Sequence, residues 1–338
     1  MTVPSHGREV RLVRRPEGAP VADDFDVVSV PVPTPDAGEV LVRNEYLSVD
    51  PYMRGRMIDT KSYAEPYALG AVMTGGAVGA VVRSAAPELP SGTTVVHDYG
   101  WREYSRVPAA AATRIDTTVA PASAYLGVLG MPGQTAYFGL FDVAAMRPGD
   151  TVFISGAAGA VGGLAGQFAR LRGARRVIGS AGSPAKVAYL RDELGFDAAF
   201  DYRDGSVREQ LRAAAPDGID VYFDNVGGDH LRAALAAIRP FGRIALCGAI
   251  SGYNSTTPQP GPDNLVLAVG KRLNLRGFVV YDFADRVPEF EAQVGRWLQD
   301  GQVWLRETTV SGVDSAVPAF LGLFDGSNTG KMLVQLAR

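Results

Sequence analysis

The stretch TVFISGAAGAVGGLAGQFARLRG, residues 151–173, decides the fold. Its first five residues, TVFIS, form a continuous apolar run, which is typical of a strand buried on both faces of a sheet. Glycines follow at 156, 159 and 162, and residues 160–173 predict a helix that ends at Gly173. A buried strand, a glycine-rich turn and a helix in this order predict a dinucleotide-binding unit.

Downstream, strand-like and helix-like segments alternate. RRVIGSA predicts a second strand, and SPAKVAYLRDELG predicts a helix with Ser183 as N-cap and Pro184 at the first helical position. The alternation continues through strand-like GIDVYFDNV (218–226), a helix over 229–238, strand-like GRIALCGAI (242–250), a last strand NLRGFVV (274–280) and a helix near 286–299. This spacing predicts an α/β fold whose parallel sheet carries helices on both faces.

The regions on either side of this segment have a different sequence pattern. Up to about residue 120, short strand-like runs are divided by Pro and Gly, at 39–49, 76–82, 93–96 and 102–107. The tail from about Trp304 ends in strand-like KMLVQLA, and we expect it to pack on the N-terminal part. Residues 1–124 with 304–338 are therefore expected to form one domain, and residues 125–303 the other.

Bulk properties exclude several classes of function. The chain has 338 residues and a net charge of −3, so no basic surplus favours nucleic acid or an anionic membrane. No apolar run approaches 18 residues and no apolar signal segment opens the chain, so we expect a cytoplasmic protein. The single cysteine, Cys247, and the three dispersed histidines, His6, His97 and His230, lack the spacing of a metal motif, and we expect no metal.

The glycine turn has a physical rationale as a phosphate site. Gly159 lets the backbone approach a pyrophosphate, and Gly162 lets the helix press on the strand. An NAD site usually carries an acidic residue about 20 residues past the glycines, whereas this chain has none between Asp150 and Asp192. Ser183 and Lys186 stand there instead, a hydroxyl and a cation suited to a 2′-phosphate, which favours NADP(H).

Eight segments together carry a family resemblance: DPYMRGRM, MPGQTAYFGL, SGAAGAVGG, GSPAKVAYL, DNVGGDHL, CGAISGYN, GFVV and GSNTGKMLV. In this order they resemble the zinc-independent medium-chain dehydrogenase/reductases, and most closely the NADPH-dependent alkenal/one and 15-oxoprostaglandin (leukotriene B4 12-hydroxydehydrogenase) reductases. The resemblance implies a GroES-like β-rich catalytic domain, a Rossmann doubly wound parallel-sheet domain that binds NADP(H), and a homodimer.

The resemblance also carries over binding residues by position. It implies that Ala158, Gly159, Ala160, Val161 and Gly162 meet the pyrophosphate, and that Lys186 and Tyr202, with Ser183, meet the 2′-phosphate end. It places Asn225 on the ribose and nicotinamide side, and Asn328 as reaching in from the tail. The implied nicotinamide pocket consists of Cys247, Gly248, Ala249, Ile250, Ser251, Tyr253, Phe278, Val279 and Val280. Cys247 is expected to be a buried apolar residue, and 278–280 equally fit a plain core strand.

The reaction that the resemblance implies is hydride transfer from NADPH to the β-carbon of an α,β-unsaturated ketone or aldehyde, without a metal. Charge then develops on the carbonyl oxygen, and a tyrosine hydroxyl is a suitable donor because its ordinary pKa near 10 keeps it protonated. The candidates are Tyr52, Tyr63, Tyr253 and Tyr281, with Tyr52 and Tyr253 preferred as catalytic because each lies in a matched segment. Met53 and Met131 complete the expected substrate-side residues.

Two details qualify the resemblance. Plant-type double-bond reductases carry a tyrosine in YKR as a proposed proton donor, whereas this chain has Gly270 in GKR. Tyr253, Tyr281, the cofactor ribose or water would have to supply that proton. Near Tyr52, we expect Met53 to pack and Arg54 and Arg56 to brace the loop.

Two other functions stay open. One is an NADPH:quinone oxidoreductase, a neighbouring zinc-free branch that lacks the DPYMR segment in this form. The other is a non-catalytic NADPH-binding protein, which the glycine at position 270 keeps open. The substrate itself is not fixed by the sequence.

Overall fold

The computed structural model describes residues 3–304 and 306–336. The chain divides into two compact units. Unit 1 consists of Met1–Gly127 with Glu307–Arg338, and unit 2 of Val128–Arg306. These boundaries lie about three residues beyond the predicted ones. Within the described residues, no helix combines the length and the apolar character that a membrane crossing needs.

Strands are the main regular elements in the N-terminal part of unit 1. They are β1 (His6–Leu12), β2 (Phe25–Pro31), β3 (Glu39–Val49), β4 (Ala77–Ser84), β5 (Thr94–His97), β6 (Tyr104–Pro108) and β7 (Ala112–Arg114). One four-residue helix, α1 (Met53–Arg56), follows β3. The four strands predicted here from the sequence are confirmed, the first with the predicted bounds and the other three with shifts of one or two residues.

Unit 2 alternates helices and strands. Its elements are α2 (Met131–Phe138), β8 (Thr151–Ile154), α3 (Ala160–Leu171), β9 (Arg176–Ala181), α4 (Pro184–Ala188), β10 (Ala198–Asp201), α5 (Val207–Ala214), β11 (Ile219–Asp224), α6 (Gly228–Ala237), β12 (Ile238–Leu246), α7 (Leu267–Lys271), β13 (Asn274–Gly277) and α8 (Val287–Gln299). All four residues of β8 are buried, as its apolar run predicts.

The six strands of unit 2 form one parallel sheet in the order β10-β9-β8-β11-β12-β13. Counted from β8, this is the order 3-2-1-4-5-6 of a Rossmann sheet. The strand order reverses between β8 and β11, and ligands of such sheets bind beyond the carboxyl ends of the strands at that reversal. The predicted α/β class and doubly wound sheet are confirmed.

Two predicted strands end later than the observed ones. GRIALCGAI predicts a strand over 242–250, whereas β12 spans Ile238–Leu246, shifted four residues toward the N-terminus. The ladder between β12 and β11 ends with Cys247 N donating to Asp224 O at 2.9 Å, and Gly248 N donates to the same oxygen at 3.0 Å. The strand predicted over 274–280 is too long, because β12 ends at Leu246, which is the last partner of β13, at Gly277. Phe278–Val280 therefore lie outside the sheet, which corrects the core-strand alternative for them.

The helix predicted after Ser183 changes its winding. The α-helical part, α4, ends at Ala188, and one π-helical turn follows over Tyr189–Glu193. The capping prediction is confirmed: Ser183 Oγ accepts a hydrogen bond from Lys186 N at 3.3 Å, and Pro184 occupies the first turn. The start of the helix is therefore encoded locally, as the N-cap pattern indicates.

The C-terminal segment completes unit 1. It contributes β14 (Glu307–Ser311), α9 (Ala316–Asp325) and β15 (Lys331–Gln335). β15 pairs antiparallel with β3, with Met332 opposite Val49, and a sheet of seven strands runs β14-β15-β3-β4-β5-β7, with β6 also on β3. The prediction that the tail packs on the N-terminal part is confirmed. A core cluster in unit 1 joins Trp101, Phe320 and Met53.

Candidate functional site

The glycine turn between β8 and α3 has the geometry of an anion site. Gly156 has a φ of +58°, which favours glycine, and Gly159 is the N-cap of α3 with no side chain above the first turn. A Cβ at Gly162 would lie 2.6 Å from Gly156 O and 2.7 Å from Ala157 Cα, so glycine there lets the helix sit directly on the turn. The N–H groups of the first turn of α3 and its dipole can therefore meet a phosphate.

Two cations lie beyond the carboxyl ends of β9 and β10, namely Lys186 and Arg203. Lys186 lies in the first turn of α4, and burial lowers its pKa, with the neighbouring charge of Arg203 lowering it further. Arg203 follows Tyr202 directly, and its guanidinium carbon lies 5.8 Å from the centroid of the Tyr202 ring. Two like charges held near each other favour an anion between them. Sequence reasoning missed Arg203, although its place right after a strand end was the available signal.

Tyr202 is fixed by its neighbours at this end of the sheet. Its N–H donates to Ala181 O at 3.0 Å, and a Cβ at Gly182 would lie 2.7 Å from its hydroxyl. The Tyr202 and His230 rings meet edge to face, with centroids 5.4 Å apart. Burial lowers the pKa of His230 to about 4, so this histidine is a neutral support for the Tyr202 ring.

The loop after β11 is held by a buried polar network. Asn225 donates from Nδ2 to Ser155 O at 2.8 Å, and its own N–H donates to Ser155 Oγ at 3.0 Å. Asp224 Oδ1 accepts from Gly227 N at 2.8 Å and from the Tyr222 hydroxyl at 2.7 Å. Burial raises the pKa of Asp224, and these hydrogen bonds oppose that rise. Sequence reasoning named Asn225 but not Asp224, whose carboxylate accepts from residues next to it in sequence and, at 3.3 Å, from Ser155 Oγ at the end of β8.

The loop after β12 joins the loop after β11. Ile250 N donates to Asn225 O at 3.3 Å, and Ser251 Oγ donates to Val226 O at 2.6 Å. Ala249 N donates to the Tyr253 hydroxyl at 3.4 Å, and a Cβ at Gly248 would lie 3.1 Å from that hydroxyl oxygen. The structure thus brings together the predicted residues Asn225, Gly248 and Tyr253.

Three loops therefore meet at the reversal of strand order. A Cβ added at Gly156 would lie 3.5 Å from Asn225 Cβ, so the glycine turn also borders the loop after β11. Cys247, at the start of the third loop, is half-buried, and burial raises the pKa of its thiol to about 12. That thiol is protonated at neutral pH, in keeping with the prediction of a packing residue rather than a reactive one.

The remaining predicted residues of unit 2 differ in exposure. Phe278, Val279 and Val280 are half-buried, and Phe278 meets Phe223 with ring centroids 6.4 Å apart. Tyr281 is 58 % exposed. Met131 begins α2, and its sulfur accepts a hydrogen bond from the Thr135 hydroxyl at 3.6 Å. The exposed helix α7 carries Gly270, where a Cβ would meet no atom within 4 Å.

In unit 1, Tyr52 lies in the turn between β3 and α1 and packs partly against the core cluster. Met53 is fully buried in that cluster, so it packs as expected, and its place among the substrate-side residues stays a prediction. Arg54 donates to Gly18 O at 2.7 Å, and Arg56 to Glu65 O at 2.9 Å. Both guanidinium groups brace the loop, as the sequence predicts.

Two further predicted residues of unit 1 lie on the surface or in the tail. Tyr63 is 63 % exposed, in a stretch without regular secondary structure. Asn328 precedes β15 and donates from Nδ2 to Gly330 O at 3.0 Å. Among residues 3–304 and 306–336, no three His, Cys, Asp or Glu side chains are grouped so that they could hold a metal ion.

Comparisons with known proteins agree with this geometry. Residues 8–115 match a family described as the N-terminal domain of oxidoreductase, and residues 160–299 match one described as zinc-binding dehydrogenase. A Bacillus subtilis protein, provisionally named an NADP-dependent oxidoreductase, is 47 % identical over 98 % of both chains. The NADP(+)-dependent 2-alkenal reductase of Nicotiana tabacum is 41 % identical over 98 % of both chains. The crystal structure of CurA from Vibrio vulnificus in complex with NADPH superposes with a TM-score of 0.93, at 42 % identity, over 98 % of this chain and 99 % of that one.

Proposed function

The chain belongs to the medium-chain dehydrogenase/reductase family, in the branch that includes NADP-dependent alkenal reductases, and on this premise we propose that it reduces the C=C bond of α,β-unsaturated ketones and aldehydes with NADPH. The meeting of three loops beyond the carboxyl ends of β8, β11 and β12 carries the proposal, because this is where a Rossmann sheet holds its dinucleotide.

The residues of unit 2 fit an NADP cofactor. Ala158, Gly159, Ala160, Val161 and Gly162 would meet the pyrophosphate through backbone N–H groups at the start of α3. Ser183, Lys186 and Tyr202 would hold the 2′-phosphate, and Arg203 adds a second cation beside Lys186. An aspartate or glutamate at this end would repel that phosphate, and the sequence has none between Asp150 and Asp192.

The nicotinamide end would be shaped by the joined loops. Asn225 is oriented by Ser155, and the segment from Cys247 to Ser251 is tied to it by hydrogen bonds. We propose that these residues, with Tyr253, Phe278, Val279, Val280 and Asn328, line the cofactor. When bound, NADPH supplies the hydride that adds to the β-carbon of the substrate.

The chain must then stabilise charge on the substrate oxygen. As the hydride adds, negative charge moves to the carbonyl oxygen, and a donor aimed at that oxygen lowers the barrier. We propose Tyr52 and Tyr253 as the catalytic donors, with Met131, Tyr63 and Tyr281 on the substrate side. A hydroxyl with an ordinary pKa near 10 keeps its proton at neutral pH and can donate to an enolate. The α-carbon then takes a proton from a side chain or from water.

The two other functions make different predictions. A quinone oxidoreductase would turn over a simple quinone faster than an enone, and a non-catalytic NADPH-binding protein would oxidise NADPH with neither. Position 270 lies on an exposed helix with open space around it, so a tyrosine there would not be sterically excluded. Its absence therefore removes one donor without showing that the chain lacks others.

A substrate panel tests the proposal. Purified protein is mixed with NADPH and a 2-alkenal, a cyclic enone, a simple benzoquinone or a saturated aldehyde, and absorbance at 340 nm is followed. We expect saturable oxidation with the enones, a kcat/KM about 10-fold or more above that for the quinone, and none with the saturated aldehyde. Preference for the quinone would contradict the proposal, and so would inactivity with every enone.

We also propose a homodimer. β13 is an edge strand of the sheet, and exposed apolar side chains lie near it, with Val266 72 % and Val269 77 % exposed. A second copy of the chain would cover this surface. Light scattering coupled to gel filtration should give twice the chain mass of 35.8 kDa, and Val269→Asp should return it to the single-chain mass. A cytoplasmic location stays a prediction from the sequence.

A further inference from the structure

A buried ion pair lies at the base of the turn that carries Tyr52. The side chains of Lys331 and Asp50 are 1 % and 7 % exposed, and Lys331 Nζ lies 2.7 Å from Asp50 Oδ1. The same ammonium donates to Val49 O at 3.1 Å. The second carboxylate oxygen of Asp50 accepts a hydrogen bond from the Ser48 hydroxyl. Both charges are therefore met by hydrogen bonds, which a buried pair requires.

Joining the strands does not by itself require this pair. β15 is already paired with β3 through its backbone, from Met332 opposite Val49 to Gln335 opposite Tyr46. Buried apolar residues would join two strands as well as an ion pair does, since removing two charges from water is unfavourable. The ion pair adds a fixed orientation of the Asp50 side chain, because hydrogen-bond donors hold its carboxylate on two sides.

The fixed position of Asp50 also constrains the turn that follows it, which contains Tyr52. Asp50 is the first residue after β3, and its carbonyl accepts from Met53 N at 3.2 Å. Tyr52 O accepts from Gly55 N at 3.0 Å, which closes the next turn of backbone. Met53 is fully buried in the core cluster against which Tyr52 packs. Tyr52 therefore lies between two fixed residues: Asp50, which is held by the ion pair, and Met53, which is held by packing in the core cluster.

We propose that Lys331 and Asp50 are positioning residues that hold the turn so that the Tyr52 hydroxyl is aimed at the substrate carbonyl. The proposal rests on the function proposed above and on the role of Tyr52 within it. It assigns a catalytic purpose to the C-terminal strand, whose lysine lies 281 residues from its partner.

The test is a double-mutant cycle. Lys331→Met is combined with Asp50→Asn, so that no unpaired charge stays buried, and this pair variant is measured with and without Tyr52→Phe. We expect the pair variant to lower kcat about 10-fold in the presence of Tyr52, because a small misplacement of a catalytic group is costly. When Tyr52→Phe is already in place, the pair variant should change kcat less than about twofold, as expected for residues that act through one group. The KM for NADPH should stay within about twofold in all variants.

A milder variant and a readout without turnover complete the test. Ser48→Ala leaves the ion pair in place and should lower kcat by a smaller factor. In protein labelled with 3-fluorotyrosine, Tyr52→Phe identifies the Tyr52 resonance, and the pair variant should shift or broaden that fluorine signal. This second readout stands even if no enone is reduced.

Three outcomes would overturn the proposal. The first is an equal loss of kcat from the pair variant with and without Tyr52→Phe, which indicates a general structural role. The second is an unmoved fluorine signal in the pair variant. The third is an unchanged kcat in Tyr52→Phe alone, which removes the role of Tyr52 while leaving enone reduction by the protein intact.

Discussion

Acid should destabilise unit 1 through one buried histidine. His97 is 4 % exposed; its Nδ1 accepts from Tyr99 N at 3.0 Å, and its Nε2 lies 3.0 Å from Asn44 Oδ1. Asn44 Nδ2 already donates to Arg102 O and to Ser105 Oγ, each at 2.8 Å, which leaves its oxygen facing the histidine. His97 is therefore neutral with its proton on Nε2. Protonation of Nδ1 would break the bond from Tyr99.

The direction and size of the change in stability follow from the pKa of His97. Burial, and then the charge of Arg102, lower the pKa of His97 to about 3, against an ordinary value of 6.5. The unfolded chain therefore binds more protons between these pH values, so stability is complete above pH 6.5 and falls as pH drops toward 3. Between pH 7.5 and 4.5 the loss from this one group amounts to about 3 kcal/mol.

Two measurements check this prediction. Nitrogen-15 NMR of histidine-labelled protein should show His97 with its proton on Nε2 and no titration down to pH 4.5, its resonance being identified with His97→Gln. Urea unfolding followed by the fluorescence of Trp101, buried in unit 1, should show that the difference in stability between wild type and His97→Gln narrows by about 3 kcal/mol from pH 7.5 to 4.5. A His97 pKa above 5.5, or a difference in stability independent of pH, would refute the reasoning.

Three further predictions concern the cofactor residues. Lys186→Ala should raise the KM for NADPH about 10-fold or more and change the KM for NADH less than about twofold, because one charge-assisted hydrogen bond to the 2′-phosphate is lost. An unchanged ratio of the two KM values in steady-state kinetics would contradict this. Gly162→Ala should weaken NADPH binding, measured by fluorescence titration, because its Cβ would lie 2.6 Å from Gly156 O; Gly261→Ala, in open space, is the matched control, and equal effects would refute the reasoning. Asp224→Ala leaves the N–H groups of Val226 and Gly227 without their side-chain acceptor, so it should lower the urea midpoint and weaken NADPH binding together; tight binding by the variant would show that Asp224 does not hold the loop.

Locally encoded features could be predicted from the sequence. The buried run 151–154, the glycine turn and the Ser183 cap each depend on residues within a few positions, and the structure has them as expected. The preference for NADP depended on a missing acid and on Lys186, both readable from one segment. The parallel direction of the six strands follows from the same alternation, because each helix returns the chain to the end of the sheet where the previous strand began.

Features set by distant contacts could not be predicted. The strand predicted over 242–250 ends at Leu246, where Asp224 O, on another strand, accepts from both Cys247 N and Gly248 N. The apolar sequence gives no sign of that shared acceptor. In the same way, the residues around Asp50 in sequence do not indicate that Lys331 is its ion-pair partner. The residues around Lys186 do not indicate that Arg203 lies close to it. The orientation of the Tyr52 hydroxyl depends on such distant contacts, so it could not be predicted from the sequence and is proposed from the structure.

The most direct test of the central claim is the fate of the hydride. An enone that the protein reduces is incubated with NADPH carrying deuterium at C4 of the nicotinamide, on each face in turn, and the product is analysed by NMR and mass spectrometry. The product should be a saturated ketone or aldehyde with one deuterium, on the β-carbon, from one of the two labelled cofactors. Deuterium on the carbonyl carbon of an allylic alcohol, or a product without deuterium from either cofactor, would contradict hydride transfer to the β-carbon.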